Sequence, residues 1–204
     1  MHIFLETERL ALRRFTEADA DNLVALDSDP EVMRFLTGGA PTPRDVIEHD
    51  ILPAFLRYYE RGDHYGFWAA IEKATGEFLG WFHFRPGKDA GPDEAELGYR
   101  LRRTAWGKGY GTEASSALIQ KGFSELGVRR VTASTYEHNI ASRRVMEKSG
   151  LRFVRTFHYT PEDLQAQDTC DSTAQDIWDG DDVEYALEKS DWERRAAAAA
   201  GKAV

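Results

Sequence analysis

The chain has 204 residues, 42% hydrophobic and 30% charged, with a formal net charge of −9 and a pI near 5.2. That length suits one domain with a sizeable core and at most a short tail, and the composition reads as globular. The acidic balance argues against nucleic acid or an anionic membrane surface as the main partner, since both call for clustered Lys and Arg; a basic acceptor suits it better.

In chain order, residues 9–15 alternate Leu10, Leu12 and Arg14 against Ala11, Arg13 and Phe15 and read as a first strand. Thr16 reads as the N-cap of a helix whose apolar stripe holds Leu23, Val24 and Leu26, broken at Asp29-Pro30. Thr42 as N-cap, Pro43 in the first turn and Ile47, Ile51, Phe55 and Tyr58 at helical spacing predict a second helical stretch to Arg61, kinked or split by Pro53. Residues 65–71 and 78–85 read as hairpin partners around the turn Lys73-Ala74-Thr75-Gly76, and 94–101 as a third strand. A glycine-rich turn leads into a helix over 112–126, with Ile119, Phe123 and Leu126 on its buried face. A strand over 131–135, a helix over 139–149 and a strand over 151–159 follow.

Residues 161–182 are polar and acidic, which predicts a long exposed loop before a last strand over 183–187 and a final helix starting near Ser190. The order of elements indicates an α+β domain over 1–193, one mixed sheet with helices on both faces, and an Ala-rich tail over 194–204 without amphipathic pattern, expected to be disordered. Cys170 is the only cysteine, so an internal disulfide is excluded and an oxidising compartment is not implied. Residues 1–6 lack a basic-then-apolar leader and no apolar run reaches about eighteen residues, so a cytoplasmic location without a membrane span is expected.

Between the strand ending at Leu101 and the helix from Thr112 lies Gly107-Lys108-Gly109-Tyr110-Gly111. Alternate glycines let backbone approach a ligand closely, and amides at a helix start favour phosphate. The spacing is neither a dinucleotide fingerprint nor a P-loop, because Gly111 is followed by Thr112-Glu113 rather than Lys-Ser/Thr.

Trp106-Gly107-Lys108-Gly109-Tyr110-Gly111-Thr112-Glu113-Ala114 resembles the pyrophosphate loop of the GNAT N-acetyltransferases in its RimJ/RimL-like form, where Trp leads the loop. Asn139-Ile140-Ala141-Ser142, with Lys148, Gly150 and Leu151 beyond it, is similar to a second block of that family. The opening around Leu5 to Arg13 and the ending from Asp182 to Leu187 before Trp192 also resemble this branch. The resemblance implies a mostly antiparallel sheet of about seven strands, splayed in the middle where the Tyr99–Leu101 region leaves the 131–135 strand. It implies acetyl-CoA as co-substrate, no metal, and transfer of an acetyl group to a primary amine by direct attack in a ternary complex. The alternative is a non-catalytic acyl-CoA-binding sensor.

Cofactor-binding candidates are Leu101, Trp106, Gly107, Lys108, Gly109, Tyr110, Gly111, Thr112, Asn139 and Ser142. The attacking amine must lose a proton, and Glu96, three residues before Tyr99, is the candidate base, with Glu94 and His83 as alternatives. The family's usual tyrosine acid corresponds to Met146, which has no proton to donate, so Ser142 is the candidate acid or donor contact. Asn139 also reads plainly as a helix N-cap, and Glu113 as a first-turn carboxylate complementing the dipole and in need of a partner. The acceptor stays open among a protein N-terminus, an aminoglycoside, a polyamine, an amino acid and another small amine. Self-association as a homodimer is allowed but specified by no residue.

Overall fold

Two strands in the middle of the chain are apolar at almost every position, and such continuity is stable only where both sheet faces are covered. In the computed structural model, which describes residues 2–87, 90–158 and 180–200, these are β3 (Gly66–Glu72) and β4 (Phe78–Arg85). Trp68, Ala70, Phe82 and Phe84 enter one core, while Phe67, Ala69 and Trp81 enter the other. The remaining strands are β1 (Ile3–Glu6), β2 (Leu10–Arg14), β5 (Glu94–Leu101), β6 (Arg130–Tyr136), β7 (Arg152–Phe157) and β8 (Asp182–Glu188).

They form one eight-stranded sheet in the order β1-β2-β3-β4-β5-β6-β8-β7, antiparallel everywhere except between β5 and β6. The strand beyond the expected seven is β1, a four-residue edge segment with no alternation of its own. Its place is fixed by partners distant in sequence: it pairs with β2, and Phe4 stacks on Trp68 with ring centroids 3.9 Å apart.

Helices cover both faces, as the pattern predicts. On one side lie α1 (Ala20–Asp27), entered through a 3₁₀ turn at Glu17–Asp19, and a rod built from α3 (Arg44–Val46), a π turn (Ile47–Ile51) and α4 (Leu52–Tyr58). The π turn sits directly before Pro53, which lacks the amide that a regular α-helical bond would need, so the proline widens the rod rather than ending it. A short α2 (Pro30–Met33) restarts the chain after Asp29, whose side chain accepts from the Glu31 amide at 3.0 Å. Thr42 does not cap the rod: Pro43 stands at the N-cap, and the Thr42 hydroxyl donates instead to buried Asp27 at 3.1 Å.

The other face carries α5 (Tyr110–Glu125) and α6 (Ile140–Lys148), which supply Leu118, Ile119, Phe123 and Met146 to the core. The Ala-rich stretch read as a disordered tail is helical as far as Ala200 in α7 (Lys189–Ala200), as strong helix formers favour. Its root is docked, with Trp192 against Phe123 and the Arg195 guanidinium donating to the Gly150 carbonyl at 2.6 Å. Residues 201–204, Cys170 and all but 180–182 of the expected acidic loop lie outside the described residues.

Candidate active site

Where β5 and β6 meet, parallel pairing covers only Glu94–Arg130, Ala95–Val131 and Glu96–Thr132. From Leu97 onward β5 stays bonded to β4 but not to β6, so the sheet opens into a V. A cleft of about 780 Å³ fills this opening, with β5 on one wall, α6 on the other and the N-terminus of α5 at one end.

The glycine turn forms that end. Gly107 (φ +72°) and Gly109 (φ +86°) occupy left-handed conformations that side chains disfavour, and Gly109 is the N-cap of α5. Among the described residues no side chain caps the helix, which leaves its first amides without a side-chain partner. Gly111 matters for space: a Cβ there would lie 3.3 Å from Val145 on α6.

Of the sequence candidates, Leu101, Trp106, Gly107, Gly109, Gly111, Thr112, Asn139, Ser142 and Glu96 line the cleft. The Trp106 indole donates to the Leu101 carbonyl at 2.8 Å, which folds the turn back onto the strand. Tyr110 does not present its side chain: the ring is buried under the Arg9 guanidinium, and its hydroxyl donates to Glu72. Its position in the first turn of α5 leaves only its backbone amide for a ligand. Lys108 likewise does not line the cleft; its carbonyl accepts from Arg9 at 3.0 Å.

Glu113 has the partner it required. It accepts from the Thr7 hydroxyl at 2.6 Å, the Arg9 amide at 2.9 Å and the Arg9 guanidinium at 2.6 Å. Burial would raise its carboxyl, but these bonds outweigh that and hold it below the usual range. Asn139 is a working N-cap, accepting from the Ser142 amide at 3.2 Å while its NH₂ donates to Thr135 at 3.2 Å.

The candidate bases separate. Glu96 is the last paired residue before the V, lines the cleft and lies 3.8 Å from the buried Arg85 guanidinium. Glu94, on the same strand face, sits at the closed end beside Arg130 at 3.5 Å and does not reach the cleft. His83 borders the cleft but is packed among Phe67, Trp81 and the bare backbone of Gly98, where a Cβ would approach its ring to 2.3 Å.

Residues outside the list of site candidates complete the walls. Arg144 and Lys148, one turn apart on α6, line the cleft, a spacing that was visible as an i,i+4 cation pair. Phe35, from the segment after α2, packs on Tyr136 at 5.7 Å, and Asp182, paired with Tyr136 at the start of β8, faces the same space. Burial pushes the Asp182 carboxyl up to about 6, with His158 opposing and Asp181 adding to the shift.

An acid whose pKa is higher in the folded state loses stability on ionising, so stability falls as pH rises from about 4 through about 6. Asp182→Asn is expected to flatten that slope and to gain about 1 kcal/mol at neutral pH, a figure discounted for solvent screening. Urea unfolding across this range measures it, and an unchanged slope would assign the dependence to another group.

A family model described as an acetyltransferase (GNAT) domain matches residues 9–152. The FsC-acetyl coenzyme A-N(2)-transacetylase of Aspergillus fumigatus is 30% identical over 198 residues, spanning 93% of this chain and 78% of that protein. Among solved structures, a GNAT-family acetyltransferase from Bacillus anthracis superposes with a TM-score of 0.68 at 23% identity, covering 93% of this chain and 99% of its own. RimL, a ribosomal L7/L12 alpha-N-protein acetyltransferase solved with coenzyme A, gives a TM-score of 0.70 at 18% identity, covering 92% and 98%.

Proposed function

The chain belongs to the GNAT acetyltransferase family, whose members are acetyl-CoA-dependent N-acetyltransferases, and on that premise we propose that it acetylates a primary amine by direct attack on acetyl-CoA within one ternary complex. The observation that carries this reading is the meeting of an uncapped helix N-terminus with an opened strand edge in one cleft. The α5 amides suit a pyrophosphate, the free edge of β5 suits the amide-rich pantetheine arm, and Arg144 and Lys148 suit further phosphate charge. Acetyl-CoA supplies the acyl group and a good leaving thiolate.

The protein's own groups supply the rest. Glu96 at the apex takes the proton from the incoming ammonium, directly or through water, and Ser142 in the first turn of α6 faces the departing sulfur. The acceptor enters at the end formed by Phe35, Tyr136 and Asp182, where a carboxylate beside aromatic rings favours a cationic amine. Among relatives, RimL acts on a protein N-terminus and the Aspergillus enzyme on an N(2) group, so the panel of acceptors spans both classes. A cytoplasmic location is part of this reading; no described helix is long and apolar enough to cross a membrane.

The test is release of free CoA, followed with a thiol reagent, from acetyl-CoA in the presence of basic peptides with free N-termini, polyamines, aminoglycosides and amino acids. Amine-dependent release supports acetyl transfer. Binding of acetyl-CoA with no release by any amine supports the sensor alternative instead.

The donor end gives a separate prediction. Reversing both cations, Arg144→Glu with Lys148→Glu, is expected to weaken CoA binding by roughly tenfold or more and to reduce its salt dependence. Calorimetric titration at low and high salt measures this, and unchanged affinity would move the phosphates elsewhere along the turn.

A further inference from the structure

We infer that Tyr99 is a positioning residue, holding the Ser142 hydroxyl so that it donates a hydrogen bond to the sulfur that leaves when the acetyl group is transferred. The inference rests on the acetyl-CoA reading above and adds a residue to it. Tyr99 lies three residues past the last β5–β6 pair, on the part of β5 that has left β6, and its ring packs on Phe82 at 5.7 Å. Its hydroxyl crosses the V to the first turn of α6, 3.0 Å from Ser142 Oγ and 3.1 Å from the Ser142 carbonyl oxygen. Both residues line the cleft. One turn farther along α6, Met146 is buried and has no proton to offer.

The proton inventory of this pair defines two arrangements. In one, the Tyr99 hydroxyl donates to the Ser142 carbonyl and Ser142 donates to the Tyr99 oxygen, so both protons are consumed within the pair. In the other, Tyr99 donates to Ser142 Oγ, and the serine proton is directed into the cleft. Tyr99 keeps its proton throughout the working range, because burial pushes the hydroxyl up to about 12 despite the opposing bond to Ser142. A nascent negative charge on sulfur favours the second arrangement, and a hydroxyl already held by a donor behind it gives a stronger hydrogen bond.

The step balances without a transfer from either residue. Glu96 has already taken the ammonium proton; the neutral amine nitrogen bonds to the acetyl carbon, the carbon–sulfur bond breaks with its electron pair remaining on sulfur, and the second nitrogen proton leaves to water. The thiolate accepts the Ser142 hydrogen bond and takes its own proton from solvent on release.

The experiment compares binding of CoA and desulfo-CoA, which lacks only the thiol, to wild type, Tyr99→Phe and Ser142→Ala at about pH 7 and about pH 9, either side of an ordinary thiol pKa. Wild type is expected to prefer CoA, more strongly at the higher pH. Each variant is expected to lose about tenfold of that preference while binding desulfo-CoA as wild type does, since one hydrogen bond to a charged group is at stake. Ser142→Ala leaves the Tyr99 hydroxyl its carbonyl partner, so it reports on the sulfur even if Tyr99→Phe folds poorly. Equal weakening of both ligands in Tyr99→Phe would make Tyr99 a strut across the V and overturn the inference, as would an undiminished preference for CoA. Binding of neither ligand by wild type would overturn the acetyl-CoA reading itself.

Discussion

Glu96→Gln is expected to lower kcat by about 10²- to 10³-fold while leaving CoA affinity near that of wild type, the usual span for loss of a general base. An amine reaches the cleft as an ammonium near neutral pH, and only its neutral form attacks a carbonyl. Glu96 stands where β5 leaves β6 and lines the cleft at the base of the V. Arg85, 3.8 Å away and buried, keeps the carboxylate in place, and Gln preserves the shape that Arg85 packs against. Glu94 does not substitute, because it is held beside Arg130 at the closed end of the sheet. Steady-state CoA release with a saturating amine measures the effect. An undiminished kcat would pass deprotonation to water or to Asp182.

Gly80→Ala is expected to destabilise the protein by about 3–5 kcal/mol, the range reached when backbone strain and overpacking combine. Gly80 has φ +136°, and a Cβ there would lie 2.1 Å from the Arg100 carbonyl oxygen and 2.7 Å from Leu101 Cα. These are backbone atoms of the neighbouring strand, so no rotamer change relieves the contact. Nor does β5 yield readily: Arg100 pairs with buried Asp27 at 2.6 Å, and the Leu101 carbonyl is held by the Trp106 indole. The same strand pair carries Glu96 and Tyr99, so donor binding is expected to fall together with stability. Urea unfolding compared with wild type decides the matter, and an unfolding free energy within about 0.5 kcal/mol of wild type would mean that β4 and β5 separate more easily than their register implies.

Much of the site was legible because its chemistry is local in sequence. A helix start, the glycines before it and an Asn followed by a Ser three residues on are all set within a few residues of backbone. The glycine turn and the α6 cap therefore stand where the motifs put them. The fold class was legible from the order of strands and helices, and β3 and β4, apolar on both faces, require the helical cover that this order implies. Side-chain direction was less accessible. Tyr110 sits inside the motif, yet its ring turns to Arg9 and Glu72, residues far off in the chain.

By itself, then, the sequence determined the alternation of strands and helices, the glycine turn before α5 and the short list of candidate groups for moving a proton. Only the tertiary structure separates the members of that list by position, because what distinguishes them is where β5 parts from β6. That point leaves Glu94 at the closed end, puts Glu96 at the apex and carries Tyr99 across to Ser142. A two-residue period gives Glu94 and Glu96 the same face, but it carries no information about where a neighbouring strand stops pairing. The proposed acceptor site has the same physical origin: Phe35, Tyr136 and Asp182 come from three separate segments and share a cavity only once the sheet has formed.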